Sequence, residues 1–347
     1  MSGFRRLLTS VACLTARPII GGQAVVEGVM MRSPKSLAIA VRQPDGTIAL
    51  REEAWLSFAE RLPFLKWPIF RGANMLIESM YNGMLALNWS AATAFPDDSK
   101  AVEASAKGQR GLNIALFVSL GFAFLLFKGV PHMSAWGLGQ YFGFDGTSPL
   151  FHLVDGAIKA CVFAGYITLI SMMKDVKRLF MYHGAEHKSV HVWEAGEDLD
   201  VEHARTKSTA HPRCGTSLIL LVIAVSILVF AAVLPFVPKV FDNELEQTML
   251  LLVLKIPLLL PIAGVAYEAQ RLAAKHPKNP LVRAIIAPGM LMQRLTTRQP
   301  GDGELEVALA ALRKTVWREK SADVVPIHGK STVEVFPDFA TVAQKVA

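Results

Sequence analysis

Four stretches of this chain, residues 112–130, 150–173, 216–238 and 248–268, stay apolar for the length a helix needs to cross a bilayer. At 1.5 Å rise per residue, about 20 residues span a hydrocarbon core of about 30 Å. The third is the cleanest: SLILLVIAVSILVFAAVLPF carries no charge, whereas the second holds Asp155 and Lys159 and the fourth Lys255. Composition points the same way. Of 347 residues, 52% are hydrophobic and 19% charged, too apolar a mixture for an ordinary soluble protein. The expected fold class is a mostly α membrane protein with four transmembrane helices, and its first partner is the lipid bilayer.

Lysine and arginine counts give the orientation, because cytoplasmic loops are enriched in both. Residues 1–111 contain 13, the loop 174–215 contains 7 and residues 269–347 contain 12. Residues 131–149 contain none, and 239–247 only Lys239. The alternation predicts that both termini and the central loop are cytoplasmic. The same flanking residues explain the net charge of +7. No nucleic-acid module is recognisable, so no nucleic-acid partner is expected. Cys13, Cys161 and Cys214 are scattered and imply no disulfide framework. The N-terminus has two arginines, but its apolar run is broken by Thr9 and Ser10, and it reads as an unprocessed start rather than a cleaved signal.

Outside the spans, Phe70, Ala73, Ile77, Tyr81 and Met84 recur at helical spacing, with Arg71, Asn74 and Glu78 on another face. This predicts an amphipathic interfacial helix over 69–88; a fifth span would carry the basic N-terminal residues to the wrong side. Upstream, LAIAVR, QPDG and TIALREE read as two strands and a tight turn, a small β element within 20–55. Beyond the last span, Pro288 and Gly289 precede a short apolar helix, and 304–320 reads as an amphipathic cytoplasmic helix. Residues 321–347 have weak periodicity and are expected to form a loose tail. The organisation is thus an N-terminal region (1–111), a membrane domain (112–268) with a histidine-rich loop (174–215), a helical region (269–320) and the tail.

The sharpest chemical signal is HGAEH, His183 to His187, directly after the second span. Histidines four apart share a helix face and can reach one ion, with Glu186 alongside as the base that activates water. This is the H-x-x-E-H order of one class of zinc peptidases. Gly184 weakens the helix. The plainer alternative is a juxtamembrane helix whose histidines meet headgroups or water. An open catalytic zinc site takes three protein ligands. The candidates for the third are His191, His211, Cys214 and Glu268. HPRCG ends where the third span begins, so Cys214 could supply a thiolate there or simply be a small buried residue in the turn. Glu268 ends the fourth span at the same depth, as a ligand or as an ion-pair partner of Arg271. Asp155 and Lys159, four apart, are expected to pair, and a solute pathway through them and Lys255 is a rival use. GGQAVVEGVMMRSP is glycine-rich, with Gln23 and Glu27 four apart, but no phosphate-loop lysine follows and nucleotide binding is not expected.

Together GGQAVVEGVMMRSP, YHGAEHKSVHVWEAGE, HPRCGTS, LLLPIAGVAYE and PGMLMQRLTTRQP resemble the YqhQ family of bacterial membrane proteins. The stretches run in the family's order from about residue 20 to 312. Gln299 departs from the pattern, where the family more often carries an acidic residue. The resemblance implies a multi-pass protein of the bacterial inner membrane and a metal-dependent enzyme, without naming a substrate. The combined expectation is a membrane hydrolase. His183 and His187 hold a divalent ion, zinc first, Cys214, His211 or Glu268 completes the set, and Glu186 is the general base. A homo-oligomer is compatible. A non-enzymatic scaffold or assembly factor and a small transporter are the rival classes.

Overall fold

The computed structural model describes residues 17–96, 114, 117–119, 121–144, 146, 148–276, 279–321 and 331–346. The expectations for the N-terminal start, for positions 112, 113, 115, 116 and 120 of the first span and for 322–330 and 347 of the tail lie outside the described residues.

The chain begins with an antiparallel sheet in sequence order: β1 (Gly21–Val25), β2 (Gly28–Arg32), β3 (Ser36–Arg42) and β4 (Ile48–Ala54), then β5 (Thr332–Phe336). β3 and β4 are the two strands read from alternation. β1 and β2 lie within the expected β element, in the glycine-rich stretch that reads as a backbone-hugging turn and one strand; its glycines break the alternation that would mark two. Their tight connection holds Glu27 at φ 51, a left-handed position unusual for a residue with a side chain. β5 corrects the expectation of a loose tail at this point. β4 would otherwise be a free edge, and Thr332–Phe336 pairs along it, burying Phe336.

Ten helices are labelled here: α1 (Phe70–Ala94), α2 (Val130–Phe142), α3 (Pro149–Ile170), α4 (Lys174–Ala195), α5 (Val201–Thr206), α6 (Gly215–Val233), α7 (Glu244–Lys275), α8 (Pro280–Thr296), α9 (Asp302–Ser321) and α10 (Phe339–Lys345). One sheet face, with Val29, Met31, Ala40, Ile48 and Leu50, packs under α9 and α4. The other, with Val25, Met30, Leu37, Ile39 and Val41, packs under α1. α9 covers the expected 304–320, but it is not amphipathic at its centre. Val307 to Leu312 are all buried, because the sheet, α4, α5 and α10 all pack against this helix.

Among the described residues, four helices are long and apolar enough to cross a membrane: Phe117–Phe142, Pro149–Ile170, Gly215–Phe236 and Met249–Lys275. The first extends well past residue 130, so most of the expected connection 131–149 is helical. Pro131 looks like a stop in the sequence, but a π turn at Leu125–Gly129 precedes it and Pro131 takes the first turn of α2, where its missing N–H costs little. α8 likewise begins at Pro280, ahead of Pro288 and Gly289, which lie inside it. A Cβ at Gly289 would come within 2.9 Å of Ser217 Cβ, so the glycine permits close packing of α8 on α6.

α1 is inverted relative to a helix in water. Asn74, Glu78, Asn82 and Ser90 are buried, while Ile77, Met80, Tyr81 and Met84 are exposed. Glu78 is fully engaged: it accepts from Arg32, Ser57, the Phe58 N–H and Asn74. An apolar outer face over a polar inner face suits a surface bathed in lipid.

Candidate metal centre

α4 sets the geometry. At 3.6 residues per turn, His183, His187 and His191 form one stripe, and Glu186 lies beside it. The His183 and His187 rings are 4.5 Å apart between centroids, and both side chains and Glu186 are buried. Each ring is anchored through Nδ1 to a backbone carbonyl, His183 to Thr296 O at 2.8 Å and His187 to Thr209 O at 2.5 Å. A carbonyl only accepts, so Nδ1 carries the proton in both rings and each Nε2 keeps a lone pair.

Those lone pairs converge. His183 Nε2 lies 3.2 Å from Cys214 Sγ, and His187 Nε2 is buried without a hydrogen-bond partner. The ligand atoms of His183, His187 and Cys214 all lie within 4.8 Å of one another. Glu186 Oε2 stands 3.4 Å from His187 Nε2 and 4.0 Å from His183 Nε2. The Cys214 thiol can donate to His183 Nε2, but a buried, unpartnered His187 Nε2 beside a carboxylate is costly unless a cation lies among them. Two imidazoles and a thiol form a donor set suited to zinc, and a second ring nitrogen tied to a carbonyl is how such ligands are usually oriented.

Cys214 is the N-cap of α6, and two buried glutamines fix its turn. Gln270 Nε2 donates to Cys214 O at 2.9 Å and to Pro212 O at 3.2 Å. Gln293 accepts from the His211 N–H and donates to His211 O, both at 2.8 Å, and donates to Ser217 Oγ at 2.6 Å. Neither glutamine was assigned a role from sequence. The available signal was an isolated amide on a largely apolar helix. The Thr296 and Thr209 carbonyls, being backbone, left none.

Gly184 proves to be required by packing. A Cβ there would sit 2.1 Å from Arg298 O, because the chain after α8 runs along α4, with Arg298 N donating to Phe180 O at 2.8 Å. The glycine-rich N-terminal stretch reaches the same place: a Cβ on Gly22 would be 2.6 Å from Glu186 Cγ, and Glu27 pairs with Arg178 of α4 at 2.6 Å. Gln299 is exposed.

Three of the candidate third ligands, His191, His211 and Glu268, lie elsewhere. His211 joins His191 and Glu194 in a second group. There the polar atoms already have partners. His191 Nε2 donates to Ala210 O at 2.9 Å, His211 Nε2 donates to Glu194 at 3.3 Å, and Arg213 pairs with Glu194. Burial lowers the His191 pKa. Burial pulls the Glu194 carboxyl upward, but the His211 hydrogen bond and the charges of His211 and Arg213 outweigh it and hold it below the usual range. Glu268 makes a two-point ion pair with Arg71 of α1 rather than pairing with Arg271 or joining the cluster. A carboxylate at the right depth takes the nearest cation, and α1 packed on α7 supplies one.

The architecture is that of a membrane protein whose polar sheet end meets its spans at a buried His/Cys cluster. The chain matches the family described as "Protein of unknown function (DUF1385)" over residues 67–318 and belongs to it. It is 30% identical over 316 residues to "Uncharacterized protein YqhQ" of Bacillus subtilis (strain 168), across 87% of this chain and 93% of that protein. No solved structure matches.

Proposed function

We propose that the protein is a metal-dependent hydrolase acting at the cytoplasmic surface of the bacterial inner membrane. The observation that carries the reading is the pair of Nδ1-anchored imidazoles whose Nε2 lone pairs converge with Cys214. His183, His187 and Cys214 would hold the ion, zinc by donor type, and three protein ligands leave one position open. When bound, such an ion supplies Lewis-acid polarisation and eases deprotonation of water. Glu186, beside the ligands, takes the proton from the attacking water and returns it to the leaving group. Thr296 and Thr209 hold the rings, and the glutamine-braced turn holds the sulfur. The alternation of basic segments supports the cytoplasmic side.

The test is metal analysis of protein purified without added metal, beside the His183→Ala variant. Near-stoichiometric zinc in the wild type and little in the variant is expected. Metal-free wild type that also takes up no zinc on titration removes the enzyme reading in favour of a scaffold.

A further inference from the structure

The first edge of the sheet lies against the metal centre with hydrogen-bonding groups unused. The two-residue turn Val26–Glu27 makes Val25 and Gly28 a hydrogen-bonded pair, and such pairs alternate along an antiparallel ladder. Gln23 and Gly21 therefore face β2, while Gly22 and Ala24 turn their N–H and C=O groups away from it. Val26 shares that parity, and its N–H does point outward, donating to Ser90 Oγ at 3.2 Å. The corresponding groups of Gly22 and Ala24, both half-buried residues, have no partner among the described residues. Sheet edges are usually guarded by charges or proline. β1, GGQAV, carries neither.

The helices on either face of β1 follow this edge. On α4, Tyr182 Oη donates to Glu27 at 3.3 Å, and one turn later Glu186 lies against Gly22, where a Cβ would be 2.6 Å from its Cγ. On α1, Ser90 meets Val26, and Gly83 packs against the Gln23 side chain. Seven residues of helix and three of strand separate these contacts, roughly 10 Å in each case, so α1 runs alongside β1. Asn82, next to Gly83, is 1% exposed, and neither its amide nitrogen nor its oxygen has a partner. A buried amide in that state is costly, and it stands beside the strand residues whose edge groups are also unpaired.

An occupant of this edge must offer donors and acceptors at the strand repeat, roughly 6.5–7 Å from Gly22 to Ala24. An extended polypeptide does so, whereas an acyl chain has neither group. We propose that the substrate is an extended peptide segment, which adds to the sheet beside β1 through Gly22 and Ala24, with Asn82 taking a further backbone amide. The absent side chain at Gly22 lets the guest backbone approach Glu186. The inference rests on the metal-dependent hydrolase reading and names its substrate class. Hydrolysis joins the water oxygen to the peptide carbonyl carbon and breaks the C–N bond. The proton that Glu186 takes from water passes to the leaving nitrogen, giving a carboxylic acid and an amine.

The test uses the full zinc-loaded chain in detergent and calorimetric titration with acetohydroxamate, N-acetyl-trialanine hydroxamate, and the same peptide methylated on its alanine nitrogens. Acetohydroxamate reports the metal alone. The peptide should bind about tenfold or more tighter than acetohydroxamate, and methylation should remove most of that difference. Ala24→Pro deletes an outward N–H at an edge, where proline is tolerated, so it should keep its zinc and its acetohydroxamate affinity and lose the tighter peptide binding. Asn82→Leu should weaken the peptide several-fold without lowering the thermal unfolding midpoint, because the amide it removes has no partner in the free protein. Equal binding of methylated and unmethylated peptide, which needs no variant to fold, or no advantage over acetohydroxamate, overturns the inference and leaves the metal reading standing. A chain that takes up no zinc removes the metal reading and the inference with it. A dimer that Ala24→Pro converts to a monomer would give the edge to a second copy of the chain and also overturns the inference.

Discussion

Two histidine clusters sit less than two turns apart on one helix, and what sets them apart chemically is where their protons point. In His183, His187 and Cys214 the ring protons face backbone carbonyls and the lone pairs face each other. In His191, Glu194 and His211 the ring N–H groups face a carbonyl and a carboxylate, and Arg213 neutralises the acid. Both groups have metal-like spacing. Proximity alone therefore does not distinguish a ligand set from a hydrogen-bond network; the direction of the protons does. The first cluster has an electrostatic need that a cation would meet, and the second is already satisfied.

The comparison breaks most visibly when one histidine is removed from each cluster. His187→Ala should weaken zinc binding by more than the roughly 10–100-fold typical of losing an outer partner, while His191→Ala leaves zinc content near wild type. Equal metal loss in both, measured by elemental analysis on folded protein, would erase the distinction. Next in size is Glu186→Gln, which keeps shape but removes the base. Zinc content should stay normal while turnover falls about 10²–10⁴-fold, read as failure to complement a deletion strain. Zinc loss in that variant would make Glu186 a ligand instead.

Gly184→Ala sharpens the comparison differently, since it touches no ligand. The added methyl would meet Arg298 O at 2.1 Å, pushing apart α4 and the segment whose Thr296 carbonyl orients His183. A loss of about 1–3 kcal/mol in stability is expected, together with weaker zinc binding. Wild-type behaviour by chemical denaturation would mean that the two segments are looser than this packing implies.

How much of this was legible depended on whether the determinant was a side chain in a local pattern. The four spans were readable because apolar length is local, although Pro131 hid the extension of the first. HGAEH was readable because its geometry is intrinsic to one helix, and Cys214 because span boundaries placed it at the same depth. Glu268 was misread because its partner Arg71 is 197 residues away, and no spacing rule joins them. β5 was hidden because five residues of a tail have no reason to pair until β4 offers an edge. The choice between the clusters was out of reach altogether, since it is made by the carbonyls of Thr296, Thr209 and Ala210, which any residue could provide.

The smallest effect is expected from His211→Gln, and it is the most discriminating because the clusters adjoin. The His187 and His211 rings are only 5.7 Å apart between centroids. Sites that hold two metals keep them about 3.5–4 Å apart, so this spacing invites a binuclear reading in which Glu194 and His211 hold a second ion. Against it, His211 Nδ1 accepts from the Arg213 N–H at 3.3 Å and Nε2 donates to Glu194, so neither nitrogen is left to a metal. A glutamine can replace the donor to Glu194, and Arg213 still neutralises that acid. Stability should fall by about 0.5–1.5 kcal/mol, the worth of one ordinary hydrogen bond, with a single zinc per chain retained. Two zinc ions per chain in the wild type, falling to one in His211→Gln, would show instead that the satisfied network rearranges to bind, and that the orientation of protons before loading is no guide to where metal goes.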